Sequence, residues 1–276
     1  MSDAAGYLGP AGTYSHGAAL HHFGDERELV ALSSISAIFQ AVASGELGNG
    51  IVPIENSVEG GVGATLDGFM EHPIPITAEL LLRVEINLLS KATGLDRIKA
   101  VHAHPQALAQ TRMWLDEHLP EAERVPAASN AAAAQAVAAE PRDAALASLV
   151  AAERYGLRVL AAGIQDSLDN TSRFVVLGGT PPPPSDNDKS SLIMVASHRP
   201  GALLELLTPL AQHQINMNRL ESRPLAGGNW EYFFFMEVQG HRDISPLAEA
   251  LSAVRSVAST LHVLGSYPTS EAVLGG

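Results

Sequence analysis

Four consecutive prolines, Pro181 to Pro184, within "GGTPPPPSDNDKS" (Gly178 to Ser190), constrain this chain more than any other feature. Proline has a fixed φ and no amide hydrogen, so such a run neither pairs in a sheet nor continues a helix. It reads as a semi-rigid linker. It divides the 276 residues into a body of about 180 and a tail of about 90, both ordinary domain sizes. The expected boundaries are a body over 1–180, a linker over 181–189 and a tail domain over 190–267.

The body alternates β-like and helix-like runs. "GYLGP", "GIVPI", "ITAELLLRVEINLLS", "IKAVHA", "RVPAA", "LRVLAA" and "RFVVLG" have strand character. "ISAIFQAVASG", "QALAQTRMWLDEHL", "NAAAAQAVAAE" and "LVAAERYG" have helical spacing, with Ser129 or Asn130 as an N-cap and Gly156 at a C′ position. Such alternation predicts α/β layers around a mostly parallel sheet. At this length two lobes are expected, 1–75 with 163–180 and 76–162, and the cleft between them is the default ligand site.

The tail reads differently. "SSLIMVAS", "PGALLELLTPLAQHQ", "INMNRLES", "WEYFFFMEV", "SPLAEALSAVRS" and "LHVLGS" run strand, helix, strand, strand, helix, strand, with the turn "RPLAGGN" between the middle strands. That order is the ferredoxin-like βαββαβ arrangement.

Charge and composition exclude several function classes. A net charge of −13 without a basic run argues against nucleic acid as a partner. The absence of cysteine removes disulfide and thiolate chemistry and fits a reducing cytosol. "MSDAAGYLGPAG" does not have the form of a signal peptide, and the apolar stretches fall short of a membrane span. A cytoplasmic protein is expected.

Polar residues gather where strands meet helices. In "LGPAGTYSHGAAL", Gly9 and Gly12 precede Thr13 and Ser15 at a helix start, which is either a capped turn or an anion site made of backbone amides. In "VPIENSVEGG", Glu55 and Asn56 end a strand ahead of Gly60, Gly61 and Gly63. They are either a helix cap beside a solvated acid, or a proton donor beside an amide that holds substrate. "VHAHPQAL" carries His102, His104 and Gln106. The two histidines have no third ligand nearby, so no metal site is expected, and Gln106 opens a helix toward the cleft. "LDNTSRFVVLG" sets Thr171, Ser172 and Arg173 ahead of an apolar strand, which is either a polar turn or an oxyanion site.

In this order and spacing, "GPAGTYSH", "VPIENSVEGGV", "HPQ", "NTSRF" and "ESRP" (Glu221 to Pro224) resemble prephenate dehydratase, over roughly Gly6 to Ser266. "PGALLELL" and "LESRP" are similar to the C-terminal ACT regulatory domain of phenylalanine-regulated members. With no chorismate mutase segment before Gly6, the chain resembles the monofunctional form. The resemblance implies a two-lobed body like periplasmic binding proteins, an ACT domain, and conversion of prephenate to phenylpyruvate. It ties activity to Glu55, Asn56, Gln106 and Ser172. Serine stands at 172 where the family motif has threonine, so Thr171 is the alternative source of the hydroxyl.

Loss of the ring carboxylate and the C4 hydroxyl makes the ring aromatic, so no cofactor is expected. The dianionic substrate is expected to be held by Arg173, by the helix starts at Thr13 and Ser15, and by Ser57 and Thr171, with the glycines admitting backbone amides. The effector implied is phenylalanine. It would lie between paired ACT domains against Gly201, Ala202, Leu203, Leu204, Asn216, Glu221 and Ser222, in a homodimer or homotetramer. Arogenate dehydratase and a non-catalytic amino-acid sensor are the rival readings.

Overall fold

A computed structural model describes residues 3–167, 169–196, 199–225 and 232–275. The first lobe comprises β1 (Ala5–Leu8), α1 (Tyr14–Phe23), β2 (Leu29–Leu32), α2 (Ile35–Ala43), β3 (Asn49–Asn56), β4 (Gly60–Gly61), α3 (Gly63–Glu71) and β5 (Ile76–Arg83). The second comprises β6 (Asn87–Ser90), β7 (Ala100–Ala103), α4 (Pro105–Gln110), α5 (Arg112–His118), β8 (Glu123–Pro126), α6 (Asn130–Val137), β9 (Asp143–Ala147), α7 (Leu149–Tyr155) and β10 (Arg158–Ala161). The chain then returns to the first lobe as β11 (Thr171–Gly178). The tail follows as β12 (Asp188–Val195), α8 (Ala202–Gln212), β13 (Met217–Pro224), β14 (Tyr232–Gln239), α9 (Leu247–Val257), β15 (Thr260–Pro268) and β16 (Val273–Leu274).

Helices begin where hydroxyls wait for them. Thr13, Ser34, Ser129 and Ser148 each accept from the amide three residues on, capping α1, α2, α6 and α7. Gly156 closes α7 in the left-handed conformation, as its position predicts. The expected single helix "QALAQTRMWLDEHL" is broken into α4 and α5 at the buried Thr111. Its Oγ1 donates to the Ala107 carbonyl at 2.8 Å, a back-bond to i−4 of the kind that bends helices.

The seven-stranded first sheet runs β16-β5-β11-β3-β1-β2, with β4 paired to β3. The second runs β10-β6-β9-β7-β8 and the tail sheet β13-β14-β12-β15. The body sheets are mixed rather than mostly parallel. β5 leaves the first lobe and β11 re-enters it, so β11 runs antiparallel to both β5 and β3. For the same reason β5 belongs to the first sheet, not to the second lobe as expected. The lobes therefore divide at the connections 84–86 and 162–170.

The tail has the predicted ferredoxin-like order and is antiparallel throughout. Of the expected β14 strand, Trp230 and Glu231 lie outside the described residues, as does most of the preceding turn. One face of the tail sheet is covered by α8 and α9 through Leu192, Met194, Leu206, Met236, Leu251 and Val254. The other face packs on the body: Ile193, Phe233, Phe235, Leu264 and Tyr267 join Phe39, Phe69, Ile76 and Val175 in one core. Phe69 lies between two aromatic partners, edge-on to Phe39 at 5.0 Å and stacked on Phe235 at 6.3 Å. Beyond the expected end of the tail domain, β16 returns to extend the first sheet, parallel to β5. Among the described residues no helix is long and apolar enough to cross a membrane.

Candidate functional site

β3 and β11 lie side by side, with Ser172 opposite Asn56 and Arg173 opposite Glu55. Successive strand residues point to opposite faces, so one pair serves each face. A β-bulge decides which. The register slips between Arg173 and Phe174, leaving Ile54 as the extra residue on β3. Beyond it Asn56 shares a face with Ser172, and Glu55 shares one with Arg173.

Asn56 and Ser172 open into a hollow of about 280 Å³ at the hinge between the lobes. Tyr14, Asn170, His104, Gln106, Gln110 and Asn130 also line it. Asn56 Nδ2 donates to Ser172 Oγ at 3.0 Å and to Asn170 Oδ1 at 2.7 Å. Its Oδ1 accepts from the amides of Val58 at 3.0 Å and Glu59 at 3.1 Å. The carboxamide is locked on both sides. Because Ser172 Oγ accepts from Asn56, its own proton remains available, and it has no acceptor among the described residues.

Helix starts surround the hollow. Thr13 begins α1, Ser129 begins α6 and Ser148 begins α7, and all three line the wall. Their caps take the third amide, so the first-turn amides and the helix dipole can meet an anion. No lysine or arginine is among the lining residues. The lobes are also tied together here. Ser148 Oγ donates to Gly12 O at 2.9 Å, Tyr155 Oη to Ala11 O at 2.7 Å, and Tyr14 Oη to Glu85 O at 2.7 Å. Burial, reinforced by Glu85, holds the Tyr14 hydroxyl well above the usual tyrosine range. Gly12 has φ +91°, and a side chain there would press on Ala151, so glycine is what lets this loop reach α7.

Four expected positions are thus brought together: Asn56, Gln106, Ser172 and Thr13. Others are not. Ser57 Oγ donates to Asp169 O at 2.7 Å and accepts from Thr171 N at 2.9 Å, so Ser57 and Thr171 stitch the hinge to β3 outside the hollow. Ser15 is buried in α1 away from the lining. Gly61 and Gly63, expected to admit a substrate anion, face the tail instead. Side chains at Gly61 and Gly63 would strike Glu221, Arg219 and Arg223 of β13.

Arg173, expected to grip substrate, points away from the hollow and is 8% exposed. Its guanidinium forks onto Glu237 of β14 at 2.7 and 2.8 Å, and also meets Glu79 at 3.2 Å and Glu55 at 3.1 Å. Burial pulls its pKa down, but Glu237 and Glu79 more than offset that and the net shift is upward, so it stays charged. Glu55, expected to supply a proton, instead has its carboxylate between Arg173 and Arg219 on the tail-facing side.

In the tail, Gly201 has φ +81° and caps α8, and Leu203 and Leu204 lie in its first turn, Leu204 prominently exposed. Asn216 Nδ2 donates to Asn218 Oδ1 at 3.0 Å. Glu221, expected against the effector, is turned toward the body and bound by Arg219. Ser222 is exposed on β13.

His104, Gln110, Asn130 and Asn170 are lining residues that the sequence reading missed or discounted. His104 had a visible sign, since "HPQ" places it as the N-cap of α4. His102 pairs with Asp143 at 2.9 Å, and no cluster of metal-ligating side chains is present among the described residues.

The fold and the hollow define a class: a two-lobed α/β body with a hollow at the hinge and a ferredoxin-like module packed behind it. The family model for prephenate dehydratase matches residues 5–182, and that for the ACT domain matches residues 190–256. The chain belongs to the prephenate dehydratase family. It is 44% identical over 263 residues to the bifunctional chorismate mutase/prephenate dehydratase of Stutzerimonas stutzeri, covering 95% of this chain and 72% of that one. It is 41% identical to the prephenate dehydratase of Mycolicibacterium vanbaalenii, covering 97% and 91%. The Arthrobacter aurescens prephenate dehydratase in complex with L-Phe superposes with a TM-score of 0.87 at 36% identity, covering 96% and 90%. The quorum-quenching acylase GqqA superposes with a TM-score of 0.88 at 31% identity, covering 97% and 98%.

Proposed function

We propose that this chain is a carbon–oxygen lyase that converts prephenate to phenylpyruvate, carbon dioxide and water in phenylalanine biosynthesis. The observation that carries this reading is the Asn56 to Ser172 hydrogen bond, set in a hollow ringed by helix starts. The substrate carboxylates lie at the first-turn amides of α1 and α6, where aligned dipoles replace cationic side chains. The ring carboxylate leaves as carbon dioxide, and its electron pair enters the ring. The C4–O bond breaks, and the departing oxygen takes one proton to become water.

Asn56 turns the Ser172 hydroxyl toward that oxygen, while Gln106 holds the substrate from the second lobe. Ser172 donates the hydrogen bond but is too weak an acid to be the net proton source. With Tyr14 engaged at Glu85, His104 and Glu59 are the lining groups placed to relay a proton. No step of this sequence requires a redox or electron-sink group.

Phenylalanine is the proposed effector, because the Arthrobacter relative binds it. Gly201, Ala202, Leu203, Leu204, Asn216 and Ser222 would frame it across paired ACT domains, within a cytoplasmic dimer or tetramer. Glu221 would act there only after releasing Arg219.

The acylase neighbour raises acyl transfer as a second activity of this fold. Against it, the only partner of Ser172 Oγ among the described residues is the Asn56 amide, with no base hydrogen-bonded to it as an activated nucleophile requires.

Incubating the purified chain with prephenate at neutral pH, with arogenate in parallel, tests the assignment. Phenylpyruvate should accumulate from prephenate, followed by its ultraviolet absorbance. Phenylalanine appearing only from arogenate would reassign the substrate. Turnover of neither would overturn the reading.

A further inference from the structure

β11 carries two consecutive residues to opposite sides of one sheet, and both sides are informative. Ser172 enters the hollow. Arg173 enters the seam between body and tail, where three strands hold it: β3 through Glu55, β5 through Glu79 and β14 through Glu237. The first two strands flank β11 in its own sheet. The third belongs to the ACT domain and takes both ends of the guanidinium fork.

The neighbouring contacts run the same way. Lys189 of β12 holds Glu79 at 2.9 Å, and the Ser270 amide holds the same carboxylate at 2.9 Å. Arg219 of β13 donates to the bulge carbonyl of Ile54 at 3.1 Å and faces Glu55 at 3.5 Å. Ile54 is the residue whose displacement puts Asn56 beside Ser172. The Nε–H of Arg173 is buried without an acceptor among the described residues, so the two Nη atoms alone set its orientation. The ACT sheet thus touches the bulge and the catalytic strand at the two residues adjacent to the reacting pair.

We propose that Arg173 is a positioning residue, through which Glu237 of the ACT domain holds Ser172 in register with Asn56. The ACT domain is then part of the catalytic apparatus as well as a place for an effector. The inference deepens the dehydratase reading and rests on it for its kinetic consequences.

Glu237→Gln is the informative variant. It keeps the side-chain shape and one acceptor oxygen, and it leaves Arg173 with the charges of Glu79 and Glu55, so folding is expected to survive. Asp67→Asn is the control. Asp67 of α3 forks with Arg223 of β13 at 2.6 and 2.7 Å across the same seam, and among the described residues it forms no hydrogen bond or ion pair with β11 or the bulge.

Assayed well below the lower Tm, Glu237→Gln should reduce kcat by about 10-fold, with KM within about 2-fold of wild type. Amide hydrogen exchange over 54–58 and 170–174 should speed up by a similar factor. Asp67→Asn should leave kcat and that exchange unchanged. Wild-type kcat and exchange in Glu237→Gln would overturn the proposal, as would equal losses in both variants. If Glu237→Gln does not fold, Glu237→Asp, which keeps the charge and shortens its reach, carries the same test. A wild-type chain inactive on prephenate would count against the dehydratase reading alone, because the exchange comparison reads the coupling without substrate.

Discussion

Ser172→Ala should lower kcat by about 10²–10⁴-fold, the usual worth of a positioned proton-donating group. KM should change by less than about 3-fold. The split follows from the wiring of the site. Removing the hydroxyl deletes the donor to the leaving oxygen. Asn56 stays fixed through Asn170 and the amides of Val58 and Glu59, and the helix starts proposed to receive the carboxylates are untouched. Ser172→Thr restores the hydroxyl with a stiffer χ1 and should keep turnover within a few-fold of wild type. Near-normal turnover by Ser172→Ala would remove this hydroxyl from the chemistry and leave Asn56 orienting nothing of consequence.

A second large effect is expected far from the hollow. Gly265 on β15 sits where the tail sheet crosses β5, the strand by which the chain leaves the first lobe, and an added methyl would overlap the backbone carbonyl of Ile76. Backbone cannot rotate aside as a side chain does. Gly265→Ala therefore has to lever β15 off β5, opening the seam that buries Phe233, Phe235 and Tyr267. The expected cost is about 3 kcal/mol, the upper part of the overpacking range, or roughly 6–12 °C in Tm. Calorimetry should also show body and tail melting separately. Gly275→Ala, with no neighbour in reach, should stay within about 0.5 kcal/mol of wild type. If Gly265→Ala melts as wild type does, the close approach of the two sheets is wrong.

Much of this architecture was legible because its signals are local. The proline run marks the linker, the βαββαβ rhythm of the tail survives intact, and Ser129 and Gly156 cap the helices they were expected to cap. Asn56, Gln106 and Ser172 stand where strands meet helices, but it is the resemblance to prephenate dehydratase that ties them to activity; the structure shows that all three line one hollow. The failures share a different cause: each depended on a partner distant in sequence. Strict alternation cannot foresee a bulge at Ile54, so Glu55 was sent to the substrate side. Arg173 reads as an anion grip until Glu79 and Glu237 are seen to enclose it. Gly61 and Gly63 admit another domain rather than a ligand. The return of β11, which makes the sheet mixed and moves the lobe boundary past β5, is a matter of topology that no local pattern encodes.

All of these assignments depend on a division of labour between the two faces of β3 and β11, with chemistry on the Asn56 and Ser172 side and docking on the Glu55 and Arg173 side. A crystal structure of the chain with bound phenylpyruvate tests that division most directly. The product's ring should lie within contact of Ser172 Oγ and Gln106, its carboxylate at the first turn of α1 or α6, and no ligand atom should touch Arg173. Product bound against Arg173 and Glu55, or elsewhere with the hinge hollow vacant, would contradict it.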